Sequence, residues 1–343
     1  MNLTLEFLRI VGSPFEPEQV SAKVRMKRAM KINRLYSYSV KNRMQFHFLD
    51  RIDPHVGTEL HGIYMAECSR LVDTYNAIGR ASKTLACADV NYAIMKTIRP
   101  YRSTTVDIDI VAFGSNLDFQ GGKKALIASG YTMLGEGPQS ATIQDPEIDM
   151  KVDLYKEIAV SHIIYMDKQK LAQHLRRVEL PNGEQVTLLS PEADLATVLA
   201  HSIIKEHMYT LSEFYTFIHY LPQIDIRRFL NLLRESNITV SSRAHATITA
   251  ILHKEAFGTV PQPLRAILDQ LGTDMLESLR VRENGLKMPY KYHPLTVAGS
   301  LLEIARSGKS RKSIGLQILR MLRPSFTKQF TKLLLDHIMR ETY

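Results

Sequence analysis

The sequence predicts a mixed α/β (α+β) fold, in which a small mixed β-sheet core is flanked by N-terminal helices and followed by a C-terminal all-helical region. Three changes of pattern along the chain lead to this prediction. Up to about residue 90 apolar residues recur at helical spacing, between 91 and 190 short alternating segments predominate, and beyond 190 helical spacing returns. We therefore predict an N-terminal helical region at 1–90, a sheet core at 91–190 and a C-terminal helical domain at 191–343.

The first predicted strand carries two acidic residues on one face. In TTVDIDIVAFG, Asp107 and Asp109 alternate with Val106, Ile108 and Ile110, so both carboxylates leave the same side of an extended chain. Two like charges held so close raise the cost of ionisation, and burial raises it further. This strand therefore needs a positive partner.

A second alternating segment, residues 148–155, supplies more acids. One face holds the apolar residues Ile148, Met150, Val152 and Leu154, and the other holds Asp149, Lys151, Asp153 and Tyr155. If this strand neighbours the first, one of Asp149 or Asp153 converges with Asp107 and Asp109. Carboxylate oxygens favour magnesium or manganese, and two such ions can clamp the attacking and leaving oxygens of a phosphoryl or nucleotidyl displacement.

The remaining elements follow from local signals. The segment before Gly130 is predicted to be a short helix, and Pro181-Asn182-Gly183 is predicted to form the turn of a hairpin. Ser190 and Pro191 are typical of a helix N-cap and first helical residue.

Composition indicates a soluble, cytoplasmic protein without a membrane segment. The chain has two cysteines, no secretory signal pattern, a formal charge of +9 and a pI of about 9.4. Its basic residues concentrate at 23–34 and 306–332, which favours phosphate-bearing partners such as nucleotides or nucleic acid. Nothing in the sequence predicts the oligomeric state.

The spacing of the acids resembles that of the nucleotidyltransferase superfamily, whose fold is shared with polymerase beta. Met95-Lys96-Thr97 stands at the position of that family's helix–turn motif, nine residues follow, and then comes Asp107-Ile108-Asp109. The similarity extends to ASGY, VDLY and LSPEADLATVLAHSIIKEH, and is closest to an uncharacterised nucleotidyltransferase-like group with a helical C-terminal region. The chain departs from the broad superfamily at Lys96-Thr97, where that family has Gly and Gly/Ser.

The resemblance implies a metal-dependent enzyme that moves a nucleoside monophosphate from an NTP to a hydroxyl acceptor and releases pyrophosphate. The acceptor, a small molecule, an RNA end or a protein, stays open. The catalytic residues, which would also bind Mg²⁺ or Mn²⁺, are Asp107, Asp109 and Asp153. The implied nucleotide-binding residues are Lys96, Thr97 and Arg102. The implied substrate-binding residues are His201 and Lys205. For His201 an alternative is a structural histidine bonded to a backbone carbonyl.

Two other functions remain open from the sequence. Asp149-Met150-Lys151 has the Asp-x-Lys form found in restriction-type nucleases, and the basic charge would suit DNA. Alternatively, the altered turn at Lys96-Thr97 would fit a catalytically inactive nucleotide-binding or regulatory module. The transferase explains the paired Asp-x-Asp and the upstream turn, for which the nuclease has no use.

Overall fold

The computed structural model describes residues 2–16, 29–52, 58–324, 326–328 and 331. It confirms the predicted fold class, a mixed α/β architecture with a mixed sheet and a C-terminal helical region. The basic residues predicted at 23–28 and Lys332 lie outside the described residues. Within the described residues, no helix combines the length and apolarity needed to cross a membrane.

Helices form the described part of the chain before the sheet, as the spacing predicts. They are α1 (Leu3–Val11), α2 (Ala29–Lys41), α3 (Gln45–Arg51) and α4 (Thr58–Cys87).

The largest sheet is mixed and has seven strands in the order β3-β4-β5-β2-β1-β9-β8. These strands are β1 (Tyr92–Ile94), β2 (Asp107–Ala112), β3 (Thr132–Glu136), β4 (Ser140–Gln144), β5 (Lys151–Tyr155), β8 (Leu175–Glu179) and β9 (Gln185–Leu189). Helix α5 (Asn116–Ala128) follows β2, and β6 (Ile158–Val160), β7 (Ile163–Met166) and α6 (Lys168–Leu171) follow β5. Strands β8 and β9 pair antiparallel, which confirms the predicted hairpin.

The register of the central strands places the acids together. Strands β2 and β5 are parallel neighbours, and their Cα partners include Asp107 with Lys151 and Asp109 with Asp153. Directly paired residues point to the same face of a sheet, so Asp153 shares a face with Asp107 and Asp109. The second predicted strand, residues 148–155, is shorter in the structure. Strand β5 begins at Lys151, so Asp149 lies before it.

Beyond the sheet the described residues are mainly helical, with two short strands. The helices are α7 (Pro191–Ile204), α8 (Leu211–Tyr220), α9 (Ile226–Ser236), α10 (Thr239–Phe257), α11 (Gln262–Leu271), α12 (Met275–Glu283), α13 (Pro294–Ile304) and α14 (Gly308–Met321). Strands β10 (Met208–Tyr209) and β11 (Tyr290–Lys291) pair with each other.

The two faces of the seven-stranded sheet belong to different hydrophobic clusters. Ile108 and Ile110 of β2 pack in a cluster with Ile78 of α4 and Phe119 of α5. Val111 of β2, on the opposite face, belongs to the cluster that includes α7 and the later helices. Because Asp107 and Asp109 alternate with the isoleucines, they lie on the α7 side of the sheet.

Strand β1 was not predicted from the sequence, because its three residues are too few to give a periodic signal. The short helix predicted before Gly130 is α5, and Ser115 and Asp118 form a reciprocal capping box at its N-terminus.

Candidate active site

The turn after β1 brings Lys96 beside the acids of β2. Ile94 pairs with Ile110, and the Met95 N–H donates to the Asp109 carbonyl at 3.0 Å, so the next residue lies next to Asp109. Lys96 has a φ of 59°, in the left-handed region that glycine adopts most easily. The turn therefore keeps a backbone conformation suited to glycine although a lysine occupies it.

Lys96 and Asp109 form a buried ion pair. Lys96 Nζ is 3.3 Å from Asp109 Oδ1, and the two side chains are 5% and 11% exposed. The same ammonium group lies 5.5 Å from the centre of the Tyr155 ring. Burial raises the pKa of Asp109, but the charges of Lys96 and Lys205 outweigh burial and hold that pKa below its usual range. Burial also lowers the pKa of Lys96, and the Asp109 charge opposes this.

His201 joins this ion pair from α7. Its Nδ1 is 3.2 Å from Lys96 Nζ and 3.0 Å from the Tyr165 hydroxyl, and its Nε2 is 2.9 Å from Glu206 Oε1. An ammonium group can only donate, so Nδ1 is an acceptor and the proton of the neutral ring lies on Nε2, where it is donated to Glu206. Burial, with the charges of Lys96 and Lys205, lowers the pKa of His201 to about 3, which keeps the ring neutral.

Asp107 and Asp153 complete what we call the carboxylate cluster (Asp107, Asp109 and Asp153). Burial and the charge of Asp109 raise the pKa of Asp107 to about 6. Burial also raises the pKa of Asp153, although its Oδ1 accepts a hydrogen bond of 2.6 Å from Thr142 Oγ1. The charge of Asp109 therefore raises the pKa of both other carboxylates, and the charge of Asp153 also raises that of Asp107.

Asp194 holds the turn in place and was missed by the sequence analysis. Its Oδ1 accepts the Lys96 N–H at 2.6 Å, and its Oδ2 accepts the Tyr220 hydroxyl at 2.7 Å. It is 4% exposed, on the first helical turn of α7 between Ala193 and Leu195. An acid amid the apolar residues of a buried helix was the available signal, because a buried carboxylate needs hydrogen-bond donors.

The other predicted residues fall in different places. The Thr97 hydroxyl donates to the Met95 carbonyl at 3.2 Å and accepts the Asp109 N–H at 2.8 Å, so it fixes β2 against the turn. Lys205 caps the C-terminus of α7, and its positive charge lowers the pKa of each acid of the carboxylate cluster.

Arg102 lies at the surface formed with the N-terminal helices. Its Nη1 is 2.6 Å from Asp50 Oδ1, and its guanidinium carbon lies 4.8 Å from the centre of the Phe46 ring. The Arg102 side chain is therefore engaged with α3, and its predicted contact with a nucleotide stays a prediction.

The carboxylate cluster has the ligand type that Mg²⁺ or Mn²⁺ prefers, but two lysines offset part of its charge. Hard carboxylate oxygens are the donors that these ions prefer, and three acids meet two lysines there, Lys96 and Lys205. Among the described residues, however, no three Asp, Glu, His or Cys side chains are arranged to share one ion. Asp109 is instead bonded to Lys96, so an ion that used Asp109 would compete with this ammonium group.

The raised pKa of Asp107 makes stability depend on pH. Because its pKa in the folded protein, about 6, exceeds the ordinary 3.8, the native state holds this proton more tightly than the unfolded state. The contribution of Asp107 to the free energy of unfolding is fully present below pH 3.8 and is lost as the pH rises to about 6. We expect the free energy of unfolding to fall by about 3 kcal/mol over this window, and Asp107→Asn to remove that fall. Denaturant titrations across the window test this; an unchanged slope in the variant would contradict it.

The ion pair predicts a coupled effect on stability. Lys96→Met leaves Asp109 buried without its cation, and we expect the free energy of unfolding to fall by about 3 kcal/mol. Adding Asp109→Asn removes the stranded charge, so the double variant should recover most of the loss. A double-mutant cycle measured by denaturant unfolding tests this coupling. If the two single losses simply add, the interaction is not as we describe it.

Comparisons with known proteins complete the description of the site. No family model matches the sequence, and no curated protein matches it. The chain is similar in structure to an antigenic nucleotidyltransferase-like protein from Paracoccidioides brasiliensis, with 15% identity, a TM-score of 0.32, and coverage of 54% of this chain and 97% of that protein. It is also similar to JHP933 from Helicobacter pylori, with 9% identity, a TM-score of 0.28, and coverage of 63% and 95%. At these identities and scores we base the functional argument on the site itself.

Proposed function

We propose that the chain is a metal-dependent nucleotidyltransferase, which transfers a nucleoside monophosphate from an NTP to a hydroxyl group. The observation that carries the proposal is the direct pairing of Asp109 with Asp153 on neighbouring parallel strands, with Asp107 on the same face and a lysine-bearing turn beside them. Asp107, Asp109 and Asp153 are the residues that would hold Mg²⁺ or Mn²⁺. When bound, the ion supplies positive charge to the triphosphate.

In this proposal the protein's own residues divide the remaining work. Lys96 donates to the phosphates that leave as pyrophosphate, and the neutral His201 holds the Lys96 ammonium group through Nδ1. Asp153, whose pKa burial raises, accepts the proton of the acceptor hydroxyl. The hydroxyl oxygen then bonds to the α-phosphorus as the bond from that phosphorus to the β-phosphate oxygen breaks.

The positions of Asp149 and Lys151 favour the transferase over the nuclease. Asp149 is exposed, and its Oδ1 lies 3.4 Å from Gln144 Nε2 at the end of the neighbouring strand β4. Lys151 is exposed as well, although it pairs in register with Asp107. The charged groups that shift the pKa of Asp107 most are Asp109, Lys96, Asp153 and Lys205. The Asp-x-Lys pair is therefore not part of the buried electrostatic network.

One observation favours a second candidate, a nucleotide-binding module without transfer activity. The Lys96 ammonium group already neutralises Asp109, as a permanent substitute for a metal ion would. In such a module the carboxylate cluster would be structural, and nucleotide binding would not depend on a divalent ion.

A labelled-transfer assay tests the proposal. The full chain is incubated with each α-³²P-labelled NTP, Mg²⁺ or Mn²⁺, and cell RNA, protein or small-molecule extract. We expect a labelled product that Asp109→Asn and Asp153→Asn each reduce at least about a hundredfold, because each removes a charged group from the reacting centre. Asp149→Asn, just before β5, and Lys151→Gln, on β5, serve as matched controls and should retain activity.

Two other outcomes would support the nuclease or the inactive nucleotide-binding module instead. DNA cleavage by the chain, abolished by Asp149→Asn and Lys151→Gln but kept in Asp153→Asn, together with no labelled transfer product, would support the nuclease and contradict the transferase. Nucleotide binding without any labelled product, under either metal ion, would support the inactive module.

A further inference from the structure

A large cavity lies apart from the carboxylate cluster, between the N-terminal helices and the segment that follows α12. Its volume is about 820 Å³, and it is lined by residues of α1, α2, α12 and the chain from 284 to 291. Cavities of roughly 300–1,000 Å³ are typical of small-molecule sites. None of its lining residues belongs to the carboxylate cluster or contacts it through Lys96 or His201.

The charged lining of this cavity is strongly positive. Five cationic side chains face one acidic side chain, Glu283; the cations are Arg34, Lys41, Arg280, Lys287 and Lys291. They come from helix α2, helix α12 and strand β11 with its preceding loop, so the charge surrounds the cavity instead of lying along one helix. A concave surface of one charge sign concentrates ions of the opposite sign.

Arg280 lines this cavity, and its guanidinium group has an unsatisfied donor. Its Nη1 is buried and has no hydrogen-bond partner among the described residues. Its guanidinium carbon lies 6.0 Å from the centre of the Tyr290 ring, and the Tyr290 hydroxyl donates to Glu277, which fixes the ring. A planar guanidinium group held over an aromatic ring is suited to bind the oxygens of a phosphate group.

The remaining wall is apolar and firmly held. Leu3, Met208, Met288 and Pro289 line the cavity beside Tyr38. The Tyr38 hydroxyl is 2.7 Å from Thr4 Oγ1 and accepts the Met288 N–H at 3.3 Å. The cavity thus combines several cations with an apolar surface, which is the combination that a nucleotide, with its phosphates and planar base, requires.

We propose that this cavity is a second phosphate-ligand site, which binds nucleotide units presented either by a free nucleotide or by the end of a nucleic-acid strand. Arg280 binds a phosphate group, the surrounding lysines and Arg34 supply the positive field, and the base packs on the apolar wall. The proposal does not depend on the transfer chemistry at the carboxylate cluster.

Fluorescence anisotropy tests this proposal with a fluorescein-labelled single-stranded RNA decamer, in EDTA so that no divalent ion contributes. We expect Arg280→Gln to weaken binding about tenfold and Lys287→Gln to weaken it severalfold, with a shallower dependence on salt concentration. Lys123→Gln removes the same charge from α5, where Lys123 is paired with Glu136, and should change binding less than about twofold.

Competition identifies the source of the ligand. Displacement of the RNA by ATP at similar concentrations indicates a free nucleotide, and displacement only by unlabelled RNA indicates a strand end; both support a phosphate site. Displacement by poly-glutamate as effective as by ATP or RNA would indicate an acidic peptide and overturn the proposal. Equal affinities of Arg280→Gln, Lys287→Gln and Lys123→Gln for the RNA would also overturn it.

Because Lys287 is exposed, its variant keeps the test valid even if Arg280→Gln destabilises the fold.

Discussion

The buried ion pair between Lys96 and Asp109 is the interaction on which the candidate site depends. Three carboxylates on one face of a sheet repel one another, and burial makes each charge more costly. The Lys96 ammonium group, 3.3 Å from Asp109, offsets part of this cost. It can do so only because the turn adopts a left-handed conformation at Lys96, and that conformation is held by the hydrogen bond from the Lys96 amide to Asp194.

This arrangement makes helix α7 part of the site. Asp194 near its N-terminus holds the turn, and His201 near its C-terminus accepts a hydrogen bond from Lys96 Nζ. The sheet and the C-terminal helices therefore share one polar network, and the hydrophobic cluster around Val111 and Leu199 supports it. A ligand that moved Lys96 away from Asp109 would also change the hydrogen bonding of His201, which couples the carboxylate cluster to α7.

The sequence predicted the fold class and the common face of Asp107 and Asp109, because both follow from local alternation. It also narrowed the third acid to Asp149 or Asp153, and the register of β5 distinguishes them, since Asp153 pairs with Asp109. The hydrogen bonds of Lys96 with Asp194 and His201 could not be predicted, because they join segments about a hundred residues apart. The basic cavity was equally hidden, since its cations come from distant helices and only their tertiary packing brings them together.

The most direct test of the account asks whether the carboxylate cluster binds a divalent ion in the presence of Lys96. Electron paramagnetic resonance measures the concentration of free Mn²⁺, which falls when the protein binds the ion. The measurement is made in the presence of a non-hydrolysable NTP analogue. We expect the full chain to bind Mn²⁺ and the double variant Asp109→Asn/Asp153→Asn to lose this binding. The Lys96→Met variant should bind Mn²⁺ more tightly, because the competing ammonium group is gone. Equal Mn²⁺ binding by the wild-type chain and the double variant, or none by the wild-type chain and Lys96→Met, would contradict the account.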